Sequence, residues 1–334
     1  MTLMLLLGCT GMLDDSFFLR IDGADLFVDV EGNPEPGVFV LLLHGGPGGS
    51  GQAYNFGAWS ERIEAEAVMV YLDQRGQGSS QGRYSTEDVT IERMVDDVEV
   101  VVEAVKARYG DDIALYLMGH SWGGLLGCSA LLRPEVQAEI VGWIEIDGAH
   151  DVPLLNRYAV SMLIEQGAVE LEAGRNTAEW REIVSFAEGV DLARLSADDS
   201  LNINRYAYQA EGLIETISWE DGPNLWAHGG YLFASPESLL TAGWSGAQTN
   251  LLLDREIEQT SLTERLGEIE VPSLLIWGGY DFVAPAALGE DAATRQPDAE
   301  LVIMEASGHS PMFNEPHAVA DSMLAFIQQS HSTP

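Results

Sequence analysis

Short hydrophobic runs alternate with longer amphipathic stretches along most of the chain. Residues 38–43 and 68–72 are apolar at nearly every position, which is typical of strands covered on both faces of a sheet. Residues 91–109 and 122–132 carry apolar side chains at helical spacing. Strands that alternate with helices predict a mostly parallel central sheet flanked by helices on both faces. Four more runs have the strand pattern: residues 113–118, 140–146, 273–277 and 301–304.

Two regions depart from this alternation. Before the first buried strand, residues 17–22 and 26–31 predict a pair of strands joined by a short turn. After the sixth predicted strand, the sequence is rich in Ala, Glu and Leu and contains no run that resembles a buried parallel strand. We therefore predict a helical cap inserted after the sixth strand. The predicted organisation is a leader at residues 1–16, a core formed by residues 17–150 and 267–334, and a cap at residues 151–266.

Composition and charge exclude several classes of function. The chain has 334 residues, 46% of them hydrophobic, which is enough to bury a full core. It has 16 Lys+Arg against 53 Asp+Glu, a net charge of −37, so it repels phosphate and is unsuited to nucleic acids or anionic lipids. The acidic residues are spread along the chain, which favours a solvated acidic surface over one dedicated cation site. No apolar run approaches the roughly 18–20 residues of a membrane-spanning helix.

The first residues bear on where the protein resides. Residues 1–8 are apolar, and the LLGC sequence that ends at Cys9 resembles the lipobox of bacterial lipoproteins, whose cysteine carries the lipid. No Lys or Arg precedes this run, and the run is shorter than the apolar region of a normal signal. The two interpretations are a lipid anchor at Cys9 in the bacterial cell envelope and an apolar tail on a cytoplasmic protein. We slightly favour the first.

A serine stands where a predicted strand meets a predicted helix. Ser121 lies in the sequence GHSWGG at residues 119–124. A tight strand-to-helix turn forces the serine into strained backbone angles, so the residues two before and two after it must be small, and both are glycine. The turn exposes the hydroxyl beside a helix N-terminus, which stabilises a developing negative charge. The pattern predicts that Ser121 is a nucleophile.

A glycine-rich loop follows the first buried strand. In the sequence HGGPGG at residues 44–49, glycines allow backbone N–H groups to approach a substrate oxygen closely. We predict that the N–H groups of Gly46 and Trp122 form an oxyanion hole. The alternative is a phosphate-binding loop, which requires a Walker pattern or a GxGxxG before a helix, and neither is present. We predict no cofactor and no metal, because the sequence has neither an HExxH motif nor a comparable ligand cluster.

The predicted acid and base follow the last two strands. Asp281 comes after one strand and His309 after the next, so the chain order is Ser121, Asp281, His309, the order of α/β-hydrolase triads. A neutral imidazole takes the serine proton, and a carboxylate orients that imidazole. Asp147, at the end of the strand before the cap, is the alternative acid. The other six histidines, including His44 and His120 inside the glycine-rich motifs, are weaker candidates for the base.

Three motifs together resemble the proline iminopeptidase branch of the α/β-hydrolases: HGGPGG, GHSWGG and the sequence DQRGQGS at residues 73–79. The resemblance covers both parts of the predicted core. It implies an α/β-hydrolase fold, an acyl-enzyme mechanism and a small-molecule or short-peptide substrate that loses its N-terminal residue. Within DQRGQGS, Asp73 and Arg75 are interpreted as fixing a loop. The branch usually has GGSWG around the nucleophile, whereas this chain has His120 in place of the second glycine.

The resemblance also implies how a substrate amine is bound. Aminopeptidases of this branch hold the ammonium group with glutamates from the cap, and the pair Trp219-Glu220 resembles a Trp-Glu pair that the family has near this point. Glu211 and Glu215 lie four residues apart, on one face if that segment is helical. The candidate substrate-binding residues are therefore Glu220, Glu211, Glu215 and Trp219. The oligomeric state is not predicted.

Two other functions remain open. A carboxylesterase or lactonase would use the same triad. A non-catalytic binding protein on a hydrolase fold would usually have lost a triad residue or a glycine beside the nucleophile, and this chain keeps all of them. Epoxide hydrolases and dehalogenases need an acid where Ser121 stands.

Overall fold

One sheet forms the centre of the molecule. The computed structural model describes residues 11–217 and 236–331. Within them the strands are β1 (Leu13–Ile21), β2 (Ala24–Gly32), β3 (Val38–Leu43), β4 (Val68–Leu72), β5 (Gln81–Gly82), β6 (Ala114–His120), β7 (Gly142–Ile146), β8 (Ser273–Gly278) and β9 (Ala299–Met304). Their order is β1-β2-β4-β3-β6-β7-β8-β9, and the short β5 pairs with β2.

Most of the sheet is parallel. The β1–β2 and β2–β4 pairs are antiparallel, whereas β4, β3, β6, β7, β8 and β9 pair in parallel. The carboxyl ends of parallel strands meet at one edge of the sheet, where open α/β folds bind their ligands. The predicted mostly parallel sheet is therefore confirmed.

Helices separate the parallel strands. They are α1 (Gly57–Glu64), α2 (Ile91–Tyr109), α3 (Trp122–Leu131), α4 (Pro134–Gln137), α5 (Val152–Ala173), α6 (Thr177–Gly189), α7 (Ala197–Glu211), α8 (Pro236–Ile257), α9 (Ala286–Arg295), α10 (Pro311–Asn314) and α11 (Pro316–His331). Helices α5 to α8 follow the strand predicted as the sixth. That strand is the seventh in the structure because the sequence pattern did not reveal the two-residue β5.

The buried strands separate two hydrophobic clusters, one on each face of the sheet. In β3, Val40 and Leu42 belong to one cluster, whereas Leu41 and Leu43 belong to the other, and all four are fully buried. Successive side chains of a strand point to opposite faces, so an uninterrupted apolar strand is the pattern expected for a sheet covered on both sides.

The helices between β7 and β8, here called the helical segment (residues 152–211 and 236–257), have a hydrophobic cluster of their own. Trp180, Ile183 and Ala207 are fully buried in it, and they pack with Phe282 from the loop after β8. The helical segment is thus attached to a loop at the carboxyl edge of the sheet. The cap boundaries at residues 151 and 266 remain a prediction.

The N-terminal region differs from the expectation in one respect. Strand β1 begins at Leu13, so residues 13–16 belong to the sheet and not to a leader. Cys9 and the apolar residues before it lie outside the described residues. Among the helices of the described ranges, none has the length and hydropathy needed to cross a bilayer.

Candidate active site

Ser121 occupies a strained turn between β6 and α3. Its backbone has φ +56° and ψ −120°, a conformation that costs energy for any residue with a side chain. A Cβ on Gly119 would collide with the carbonyl of Gly123, and a Cβ on Gly123 would collide with the carbonyl of Leu43. Both flanking positions therefore exclude every side chain, as the sequence predicted.

The three predicted triad residues come together at the carboxyl edge of the sheet. Nε2 of His309 lies 2.9 Å from Oγ of Ser121, and Nδ1 of His309 lies 2.8 Å from Oδ2 of Asp281. The other Asp281 oxygen accepts the backbone N–H groups of Val283 and Ala284, at 2.7 and 2.8 Å. The carboxylate is thus held from both sides, and the imidazole is oriented toward the serine.

The surroundings of His309 suit a base. Burial alone would lower the pKa of His309, but the charge of Asp281 and the hydrogen bond to it raise that pKa above the ordinary value, and Glu211 adds to the rise. A raised pKa means that the protein stabilises the imidazolium more than water does. The imidazole can therefore take a proton from the serine and hold it for transfer.

Asp147, the alternative acid, does not hold the imidazole. Its Oδ1 accepts the backbone N–H of Gly278 at 2.8 Å. Burial, followed by the charge of Asp281, raises the pKa of Asp147 well above its ordinary value. Both causes disfavour the ionised form of Asp147, so this carboxyl is less suited than Asp281 to supply the charge that stabilises an imidazolium. The structure favours Asp281 in this position.

The predicted oxyanion donors lie beside the serine. Gly46, Trp122 and Ser121 line one cavity. Trp122 is the first residue of α3, so its N–H points out of the helix and is not part of the helical hydrogen-bond ladder. Gly46 has φ +128°, which favours glycine. The arrangement is compatible with an oxyanion hole, and that role remains a prediction.

Residues of the DQRGQGS motif hold loops in place. Oδ1 of Asp73 accepts the hydroxyl of Ser50 and the N–H of Gly51, both at 2.7 Å. Arg75 is fully buried and forms a two-pronged ion pair with Asp97 of α2, with Nε 2.7 Å from Oδ2. These side chains are occupied by structural contacts, in agreement with their interpretation as loop-fixing residues.

A chain of hydrogen bonds, here called the His120 bridge, crosses behind the nucleophile. The N–H of Gly45 donates to Oη of Tyr54 at 3.0 Å, and that oxygen lies 2.6 Å from Nδ1 of His120. Nε2 of His120 lies 2.8 Å from the carbonyl oxygen of His309. Because a carbonyl only accepts, Nε2 carries the hydrogen, and Nδ1 accepts from the tyrosine. The bridge joins the glycine-rich loop to the loop of the base.

The imidazole in this bridge is neutral. Burial, followed by the nearby His309, lowers the pKa of His120 to about 3. A glycine, which the resembling family usually has at this position, could not form the bridge. The sequence marked His120 as a departure from the family but gave no role for it, and Tyr54 had no signal in the sequence at all.

A first cavity of about 170 Å³ opens on Ser121 between the core and the helical segment. Its walls include the carboxylates of Asp254 and Glu258. Burial, followed by the charge of Asp254, raises the pKa of Glu258. Sequence reasoning missed this pair, because two acids four residues apart are unremarkable in a chain with 53 acidic residues. Three asparagines also line the cavity: Asn156, Asn204 and Asn250.

The predicted cap residues have different outcomes. Glu211 ends α7, and its Oε1 accepts the backbone N–H of His309 at 3.0 Å. Burial, followed by the charge of Asp281, raises the pKa of Glu211 to about 7. Glu215 is exposed in the turn after α7, so the two glutamates do not share a helical face as predicted, because the helix ends first. Trp219 and Glu220 lie outside the described residues.

No cofactor or metal is assigned to the described residues. Ligand atoms of His120, Asp147 and His309 lie within 4.8 Å of one another. However, each imidazole nitrogen of the two histidines already lies within hydrogen-bonding distance of a protein group. A metal would have to displace these contacts.

Comparison with known proteins places the chain in a family. The sequence profile of the alpha/beta hydrolase family matches residues 40–322. The chain belongs to this family. The hydrolase is 26% identical over 295 residues to the proline iminopeptidase of Flavobacterium johnsoniae, across 87% of this chain and 90% of that protein. It is 25% identical over 317 residues to the probable aminopeptidase YbaC of Bacillus subtilis, across 89% of each chain.

Solved structures show the same fold. The proline iminopeptidase of Mycobacterium smegmatis superimposes on the hydrolase with a TM-score of 0.65 at 16% identity, across 95% of this chain and 98% of that one. An esterase from Exiguobacterium antarcticum gives a TM-score of 0.60 at 19% identity, across 94% and 100%. The α/β-hydrolase fold and the likeness to proline iminopeptidases that the sequence predicted are thus confirmed.

Proposed function

We propose that this hydrolase is a serine aminopeptidase that works through an acyl-enzyme and releases the N-terminal residue of a short peptide or amide. The observation that carries the proposal is the geometry of Ser121, His309 and Asp281, with the serine oxygen 2.9 Å from the imidazole and the imidazole 2.8 Å from the carboxylate. Nucleophile, base and orienting acid are thus within hydrogen-bonding distance before substrate binds.

The geometry supports a two-stage reaction. Nε2 of His309 takes the proton of Ser121 as Oγ attacks the substrate carbonyl carbon, and the oxyanion is stabilised by the N–H groups of Gly46 and Trp122. The imidazolium, stabilised by Asp281, then gives the proton to the leaving nitrogen, and the bond between carbonyl carbon and nitrogen breaks. Water attacks the resulting acyl-enzyme with His309 again as base, which frees the acid product and restores the serine.

The acidic wall of the first cavity supports a substrate with a free amine. Asp254 and Glu258 line the space next to Ser121, where an ammonium group on the acyl part of a substrate would be attracted. Glu211, a candidate from the sequence, has a buried Oε2 with no hydrogen-bond partner among the described residues, but it does not line this cavity. The two curated relatives named above are a proline iminopeptidase and a probable aminopeptidase, which agrees with this preference.

The experiment compares three substrates: proline 4-nitroanilide, its N-acetyl derivative and 4-nitrophenyl acetate. We expect cleavage of the free-amine anilide with a kcat/KM at least about 10-fold above that of the acetylated one, since the acetyl group removes the charge that the carboxylates attract. The Ser121→Ala variant is the blank.

Two other results would redirect the assignment. Cleavage of the ester without either anilide would favour a carboxylesterase or lactonase. No turnover, together with no labelling of Ser121 by a fluorophosphonate in folded protein, would favour the non-catalytic binding protein. A lipid anchor at Cys9 stays a separate proposal, tested by mass spectrometry of the protein from membranes.

A further inference from the structure

A second cavity, of about 440 Å³, also borders Ser121. It is lined by His309 and by two members of the His120 bridge, Tyr54 and His120. Phe56 and Phe313 complete its aromatic lining. Gly46, Ser121 and Tyr208 line both cavities, so the second cavity adjoins the reaction centre, and the rest of its lining differs from that of the first.

The two cavities differ in charge. The first has the carboxylates of Asp254 and Glu258, whereas the lining of the second contains no Asp, Glu, Lys or Arg among the described residues. Instead, the rings of Phe56 and Phe313 stack with centroids 4.8 Å apart and planes inclined by 17°. The Tyr54 ring lies 6.2 Å from Phe313. The chain has a net charge of −37, and an uncharged aromatic wall beside the nucleophile would favour apolar groups of a substrate over charged ones.

The position of His309 decides which part of a substrate enters which cavity. The protonated imidazole gives its proton to the leaving atom, so the leaving group must occupy the space that Nε2 of His309 faces. His309 lines the second cavity and is absent from the lining of the first among the described residues. Trp122, a predicted oxyanion donor, lines the first cavity only. This arrangement leaves the first cavity for the acyl part of the substrate.

We propose that the second cavity binds the leaving group and selects for an uncharged aromatic or bulky apolar one. The proposal rests on the serine mechanism proposed above but not on the aminopeptidase preference. Aromatic rings of the ligand would pack against Phe313 and Phe56. A leaving amino acid with a free carboxylate would find no cation in this wall, so amides of large apolar amines should be better substrates than free dipeptides.

The test uses two acetate esters with leaving groups of similar basicity, phenyl acetate and 2-naphthyl acetate. We expect the ratio of their kcat/KM values to favour the naphthyl ester in the wild type by roughly 2- to 10-fold, the size of one extra aromatic contact. Phe313→Ala should bring the ratio close to one. The matched control is Leu201→Ala, which truncates an exposed apolar residue lining the first cavity and should leave the ratio unchanged.

A second measurement does not depend on turnover. The product 2-naphthol should slow labelling of Ser121 by a fluorophosphonate in the wild type, and it should do so less in Phe313→Ala. An unchanged ester ratio in Phe313→Ala, or a ratio that responds to Leu201→Ala instead, overturns the assignment of the second cavity. If the wild type prefers the naphthyl ester but does not prefer the free-amine anilide to the acetylated one, the aminopeptidase proposal is refuted and the assignment of the second cavity stands.

Discussion

The two sides of the active site are built in different ways. On the core side, Ser121, Asp281 and His309 each follow a strand of the sheet, and the loops that carry them are fixed by backbone hydrogen bonds. On the other side, the helical segment contributes side chains from helix surfaces, such as Asp254 near the end of α8. On the proposed function, the difference teaches that the sheet edge supplies the reacting groups, whereas the helical segment supplies the charge that selects a free amine. Changes in the triad and in the residues that position it should lower the rate with every substrate.

The largest effect is expected from a pair of isosteric substitutions in the core. Asp281→Asn removes the charge that orients and stabilises His309, so kcat should fall roughly 10⁴-fold. Asp147→Asn should change kcat by less than about 10-fold, because Asp147 does not contact His309 and an asparagine oxygen still accepts the N–H of Gly278. Steady-state kinetics of both variants measures the difference. Similar losses in the two would show that Asp147 shares the charge of the triad.

The next effect concerns the His120 bridge. His120→Ala should lower kcat about 10-fold with KM nearly unchanged, since the loops of the oxyanion donor and the base would lose their connection. Tyr54→Phe should act in the same direction, because it removes the hydroxyl and keeps the ring.

A conservative variant distinguishes positioning from simple destabilisation. His120→Gln retains a donor for the His309 carbonyl and should recover part of kcat. Active sites are counted by fluorophosphonate titration, and Tm is measured alongside. A lower Tm with unchanged kcat per titrated site would limit the bridge to a structural role.

The helical segment should alter selectivity more than rate. Asp254→Asn is expected to lower kcat/KM for proline 4-nitroanilide about 3- to 10-fold, the size of a partly solvated charge contact. Activity on 4-nitrophenyl acetate, which has no charge to recognise, should stay within about 2-fold. Glu188→Gln, an exposed position on α6, is the matched control. Equal losses on both substrates would contradict the assignment of Asp254 to recognition of the free amine.

The smallest effect is a shift in pH dependence. His309 acts as base only when neutral, so kcat/KM should rise with pH as His309 loses its proton, and its raised pKa places this rise above pH 6.5. The charge of Glu211 contributes to the raised pKa. Glu211→Gln keeps an acceptor for the His309 N–H and removes the charge, so the rise should move to lower pH. A shift to higher pH would contradict this electrostatic account.

Local rules explain why the core could be predicted from the sequence. The α2 range, residues 91–109, and the strand at residues 38–43 agree with the structure to the residue, because apolar periodicity fixes both. Gly119 and Gly123 identified the nucleophile turn because only glycine fits there. The positions of the glutamates after residue 210 were harder to predict. Placing Glu211 and Glu215 on one face required a helix through both residues, but the helix ends at Glu211.

The sequence by itself determined the alternation of strands and helices, the strained serine turn and the order of the three triad residues. Only the tertiary structure decided that Asp281 and not Asp147 holds the imidazole, that His120 joins two loops, and that Asp254 lies near Ser121. The physical reason is how far apart in the chain the contacting residues lie. A turn or a strand depends on neighbouring residues, whereas the burial and charge around a side chain depend on packing between segments that are distant in the chain, such as those of His120 and His309.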